Sequence, residues 1–172
     1  MKMIEKYAYK KLQKEAAAIK RRVELPQPEK IRKVCVLWQP PQGEAYEFLH
    51  QFFQNSQVIF RNLCILSKEG IAEAGSNVVT PKDLNWLGFP NSGHVFEILK
   101  TEFDLLLNIV PEQNLVLHYI TALSRARFKI GSTESKLNYF DLNIRINGSS
   151  DALYLAQQQI FYLEQLNKKV LV

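Results

Sequence analysis

The sequence predicts an α/β domain of three layers, a mainly parallel sheet with helices on both faces, preceded by a basic N-terminal helix. Three observations carry this expectation. Val34-Cys35-Val36-Leu37 and Leu105-Leu106-Leu107 lie in runs so continuously apolar that they read as strands buried on both faces. Segments with apolar steps of three or four separate the strand-like runs, so strands and helices alternate along the chain. A chain of 172 residues, 47% hydrophobic and 23% charged, can bury one sizeable core without a disulfide or metal staple.

The first helix is expected over residues 2–23. Ile4, Ala8, Leu12, Ala16, Ile19 and Val23 form its apolar stripe beside Tyr7, and Lys2, Lys6, Lys10, Lys14 and Lys20 occupy its other faces. Pro26 and Pro28 are expected to stop it, because proline lacks an amide donor and restricts the residue before it. The chain then divides into a basic amphipathic helix over 1–25 and a single α/β domain over 30–172.

A strand over 33–38, a turn at Gln39-Pro40-Pro41-Gln42-Gly43 and a helix over 44–55 follow, the helix marked by Tyr46, Leu49, Phe52 and Phe53. The next strand, over 57–66, carries an irregularity at Arg61-Asn62, where apolar alternation breaks. From 67 to 92 the pattern weakens, leaving a short strand at Val78-Val79 and an aromatic-rich loop from Leu84 to Pro90. A short helix over 94–100 turns Val95, Ile98 and Leu99 inward. The strand over 103–109 precedes a helix opened by Pro111 and running to Arg125. A strand over 127–130 ends at Gly131, and an alternating strand from Tyr139 to Ile146 suits a half-exposed place near the sheet edge. Asn147-Gly148 reads as a turn. Ser150 or Asp151 caps a final helix whose inward stripe is Leu153, Ala156, Ile160, Leu163 and Leu166. The whole is a Rossmann-like arrangement.

Charge is unevenly spread. Residues 1–33 hold 11 Lys/Arg and 4 Asp/Glu, a net of +7; residues 34–172 hold 11 basic and 13 acidic residues, a net of −2. The high isoelectric point therefore belongs to the N-terminal segment. No apolar run approaches the ~20 residues needed to span a bilayer. The lysine-rich start does not read as a signal peptide, and Cys35 and Cys64 stand alone in apolar runs, as buried thiols of a reducing compartment do. These features point to a cytoplasmic location.

Open parallel sheets bind ligands beyond the carboxyl ends of their strands, which places a candidate pocket near Gln39, Asn108 and Ser132. No glycine-rich phosphate loop follows a strand; the first strand leads into two prolines, which remove amides that a dinucleotide site would use. His50, His94 and His118 are too scattered for a metal motif, so no metal and no cofactor are expected. Asp104 reads as a capping or solvated acid rather than a catalytic one, and no nucleophile motif surrounds Ser67 or Ser124. In the loop Asp83–Pro90, Trp86 and Phe89 either form a lid or partner contact or pack onto the sheet, and packing is the expected outcome. The basic helix has four readings: an RNA-facing arm, a membrane-surface helix, a partner-docking helix, or a domain helix with its lysines in solvent.

Phe103-Asp104-Leu105-Leu106-Leu107-Asn108, the helix ending Ala122-Leu123-Ser124-Arg125-Ala126, and Arg127-Phe128-Lys129-Ile130-Gly131 together resemble a segment of the heptosyltransferase N-terminal domain. The resemblance implies a strand–helix–strand unit. The catalytic Gly-Asp turn of those enzymes is replaced by Gln39-Pro40-Pro41, and their nucleotide-sugar domain has no counterpart. The basic helix, Asn85-Trp86-Leu87-Gly88 and the Phe103–Gly131 unit also resemble a group of short Bacteroidetes proteins without assigned activity. The expectation is a non-catalytic binding or scaffold protein that engages a protein partner through Lys6, Lys10, Lys14 and Trp86. A small-molecule pocket or divergent glycosyltransferase-like domain at the strand ends is the alternative, and RNA binding through the basic helix is the second.

Overall fold

The computed structural model describes residues 2–55, 57–67, 77–147 and 151–170. Among these, β1 (Lys33–Trp38), β2 (Ile59–Ile65), β3 (Val78–Val79), β4 (Leu105–Asn108), β5 (Lys129–Gly131) and β6 (Leu142–Asn143) form one sheet in the order β3-β2-β1-β4-β5-β6. Every adjacent pair is parallel. The helices are α1 (Met3–Ala18), α2 (Gly43–Phe52), α3 (Gly93–Lys100), α4 (Leu115–Leu123) and α5 (Ala152–Val170).

Side-chain alternation along the strands builds the three layers. Cys35, Leu37, Leu63, Ile65 and Leu106 pack with α1, α3 and α4 on one face, through Leu12, Val95, Ile98, Leu117 and Ile120. Val34, Val36, Leu105 and Leu107 pack with α2 and α5 on the other, through Leu49, Leu155, Ala156, Ile160 and Leu163. Each fully buried aliphatic side chain contributes about 1.5–3 kcal/mol from burial.

Four local expectations are corrected. Helix α1 ends at Ala18, well before Pro26 and Pro28, because tertiary bonds outcompete the helical spacing beyond it. Arg21 donates to both carboxylate oxygens of Asp141 and to the Ala126 carbonyl, and the Glu24 amide donates to the Arg127 carbonyl, drawing this segment out extended. Strand β2 is continuous through Arg61-Asn62, which pair in register with Cys35 and Val36. Asn62 sits among apolar groups because its Oδ1 accepts from Trp38 Nε1 (3.0 Å) and Asn77 Nδ2 (2.8 Å), while its Nδ2 donates to the Tyr46 hydroxyl (3.1 Å). Helix α4 starts at Leu115, with Asn114 Oδ1 accepting from the Leu117 amide at 2.9 Å. Finally, β6 is only Leu142–Asn143, at the expected sheet edge; the Asn143 side chain is tied to the Thr133 backbone.

Asp151 caps α5, accepting from the Tyr154 amide at 3.1 Å. Gly148 and Ser150, of the expected turn and cap, lie outside the described residues.

Candidate functional site

The strand order reverses direction at β1 and β4, the pair from which the chain builds outward both ways. A cavity of about 420 Å³ opens at their carboxyl ends, lined by Gln39, Gln42, Glu44, Val110, Glu112 and Asp151 among others. This is where open α/β sheets hold ligands. Its electrostatics oppose a phosphate: three carboxylates and no cation stand among the described lining residues. The backbone opposes one too. Residues Pro40–Gln42 form a 3₁₀ turn whose Pro40 carbonyl takes the Gly43 amide, and the Gln39 amide donates to Gln42 Oε1 at 2.9 Å. Donors that would cradle a pyrophosphate before α2 are therefore absent or engaged. The chemistry left is that of a cation, an amine or a polyol.

Of the three expected pocket residues, Gln39 lines this cavity and Asn108 and Ser132 are buried away from its wall. Asn108 clamps the β4–α4 turn. Its Oδ1 accepts from the Val110 amide and Gln113 Nε2 (both 3.1 Å), and its Nδ2 donates to Gln113 Oε1 (2.8 Å) and Thr121 Oγ1 (3.3 Å). Glu44 and Glu112 were not legible as a pair in the sequence, because each reads as an acid in the first turn of its own helix. Only the sheet order brings them together.

The second assembly lies on the opposite layer. Asn85 organises a tight turn: its Oδ1 accepts from the Leu87 and Phe89 amides (2.9 and 3.0 Å), and Gly88 takes φ +87°, a left-handed conformation that suits glycine. The loop splits the expectation placed on it. Leu87 and Phe89 pack into the core at 5% and 3% exposure, whereas Trp86 is 74% exposed. The Trp86 ring stacks against Tyr7 of α1, centroids 6.3 Å apart and planes inclined by 19°. Tyr7 is itself 54% exposed. Lys10, Lys11 and Lys14 follow it at helical steps of three, four and seven, which puts them on its side of α1, and all are exposed together with Lys6. Burial and then the charge of Glu5 raise the pKa of Tyr9, and burial and then the charge of Glu15 raise that of Tyr119 on α4. The opposite side of α1 buries Ala8 and Leu12 completely, and Tyr9 bonds His118 Nδ1 on α4 at 2.9 Å.

Other polar groups have local tasks. Asp104 Oδ2 accepts from the Arg32 and Lys33 amides at 2.8 and 3.0 Å, capping the start of β1. Ser124 Oγ accepts from the Ala126 amide, and His94 Nε2 meets the Val78 carbonyl at 2.8 Å. Burial pushes the Cys35 and Cys64 thiols up to about 12 and about 11, which keeps them protonated and unreactive at neutral pH. Among the described residues no group of three or more His, Cys, Asp or Glu is placed to hold a metal, and no helix is long and apolar enough to cross a membrane.

The fold and the switch-point cavity define a member of the α/β class with a wholly parallel, Rossmann-ordered sheet. Residues 2–166 match the model of a family of unknown function (DUF6913), and the chain belongs to that family. No curated protein and no solved structure matches the chain.

Proposed function

We propose that this chain is a non-catalytic binding protein whose docking face is α1 together with the Trp86 turn, and that its partner carries negative charge. The observation supporting this reading is the exposed Tyr7–Trp86 pair beside unpaired lysines. Exposed aromatics on a rigid turn are costly to keep in water and are the side chains that anchor interfaces. Among the described residues none of the α1 lysines makes an ion pair. Lys10 and Lys14 follow Tyr7 on its side of α1 and Tyr7 stacks on Trp86, which supports reading Lys6, Lys10, Lys14 and Trp86 as parts of one docking face. Retention of the full chain on two immobilised polyanions, poly-glutamate and a single-stranded oligonucleotide, tests it. Wild-type protein should be held and released by salt, and the combined Lys6→Gln, Lys10→Gln, Lys14→Gln, Trp86→Ala variant should pass through both. Equal behaviour of the two proteins overturns the reading.

A second reading, a small-molecule pocket or divergent glycosyltransferase-like domain, is supported by the position of the cavity at the switch point. The strand–helix–strand unit β4-α4-β5 is also the segment that resembles heptosyltransferases. The carboxylates favour an amine or polyol. Native mass spectrometry of gently purified protein should then show a retained mass that Glu44→Gln with Glu112→Gln releases. A bare chain in both cases counts against it.

A further inference from the structure

We infer that the α1–Trp86 face binds single-stranded nucleic acid, a partner class that rests on the docking face proposed above and goes further than its charge. An acidic protein segment supplies charge and little else. A nucleotide strand supplies, in every unit, both a phosphate and a flat π face, and this surface offers the complement of both side by side.

The π complement is Tyr7 and Trp86. Their rings lie within 19° of parallel, and both remain half exposed or more in each other's presence. Each ring therefore keeps area on which a base can stack, and stacking tolerates any base because every base has a π face. The turn beneath Trp86 is held by the two Asn85 side-chain bonds and by burial of Leu87 and Phe89, so the indole is presented with little ordering left to lose on binding.

The phosphate complement is the row Lys2, Lys6, Lys10 and Lys14, spaced by four residues, with Lys11 beside it. At 1.5 Å rise per residue this row advances roughly 6 Å per lysine along the 16-residue helix. Lysine presents a compact, hydrated point charge without the fork of arginine, which suits backbone tracking more than bidentate recognition of a fixed carboxylate. No acid stands three or four residues from Lys6, Lys10 or Lys14 in the sequence, whereas Glu5 and Glu15 flank Lys2 and Lys11 at those spacings. Residues 34–172 carry a net charge of −2, so the basic excess lies in residues 1–33, the segment that contains α1.

A duplex hides its bases in the stack, so the same face should prefer a single strand. The measurement is fluorescence anisotropy of the full chain with a labelled single strand of about 12 nucleotides, a site size within the range of single-strand binders. A hairpin duplex and labelled poly-glutamate run in parallel. The single strand should bind tightest, and the intrinsic Trp86 fluorescence should be quenched as it does. Trp86→Ala should weaken the single strand about 5- to 150-fold, the range of one lost stacking contact, and Trp86→Phe should recover part of that loss. Lys10→Gln with Lys14→Gln should reduce the slope of log affinity against log salt by about 1.4, or 0.7 per phosphate contact. Unchanged thermal melting of each variant, all at exposed positions, ensures that folding is not being read.

If poly-glutamate binds as tightly as the single strand and Trp86→Ala leaves both unaltered, the nucleic-acid inference fails while the acidic-partner reading stands. Equal binding of duplex and single strand removes the stacking argument and overturns the inference as well. If no polyanion binds, both fail together.

Discussion

Lys129 lies on β5 with 1% of its surface exposed, its Nζ donating to the Thr121 and Ala122 carbonyls in the last turn of α4. Helix-terminal carbonyls carry partial negative charge and hold an ammonium well. Burial nonetheless pushes its pKa down to about 7, Arg21 adding to the shift and Asp141 opposing it. The unfolded chain keeps this lysine protonated to about pH 10.5, so above pH 7 it binds more protons than the folded one and stability rises with pH. Burial of His118, which lowers its pKa below the usual 6.5, acts with the same sign on the acid side, removing stability as pH falls through that value. The buried thiols and the tyrosines Tyr9, Tyr46, Tyr119 and Tyr139, all raised, reverse the trend above roughly pH 9. Urea unfolding should therefore show a gain of up to about 2 kcal/mol between pH 7 and 8.5, and Lys129→Met should flatten it. Equal slopes in both proteins would mean that the α4 carbonyls keep the ammonium charged. None of this was legible in the sequence, where residues 127–130 read only as a strand ended by Gly131. Lys129 is buried because the fold turns β5 back onto the end of α4, whose carbonyls accept from its Nζ.

Elements defined by their own apolar pattern were readable. The runs that became β1 and β4 announced themselves because both faces are covered, and Val95, Ile98 and Leu99 mark the inward side of α3 as expected. Elements bounded by side-chain bonds from elsewhere were not. The end of α1 is decided by Arg21 reaching Asp141, and the start of α4 by an Asn108–Gln113 amide pair that occupies the turn before Asn114 takes over as cap. Strand β2 looked broken because Asn62 occupies an inward position, and only the triad with Trp38, Tyr46 and Asn77 shows why an amide is tolerated there. Legibility of the candidate sites divides the same way. The lysine row and Trp86 stood out individually, while their meeting through Tyr7 depends on where α1 lies against the sheet.

At the scale of the molecule, the question is whether α1 is an appendage, as the division into 1–25 and 30–172 has it, or part of the cooperative core. Ala8 and Leu12 are fully buried in the same apolar cluster as Leu117 and Ile120, Tyr9 bonds His118, and Arg21 pairs with Asp141. We propose that the chain unfolds as one unit. A truncation starting at Glu29 would expose the α4 face that Ala8 and Leu12 cover and leave His118 and Asp141 without these partners. Adding about 1.5–3 kcal/mol for Leu12 to roughly 1 kcal/mol for each lost polar contact gives a loss of about 3–5 kcal/mol. For a domain of this size that corresponds to a melting point lower by roughly 10 °C. Scanning calorimetry should show one transition in the full chain and a lower, shallower one after truncation. Melting of the truncated chain at the full-chain temperature would instead make α1 an independent arm. The result also governs how binding is to be tested: if α1 supports the core, removing it confounds lost contacts with lost folding. The surface substitutions at Lys10, Lys14 and Trp86 then become the cleaner probes, because they alter the docking face while leaving Ala8 and Leu12 in place.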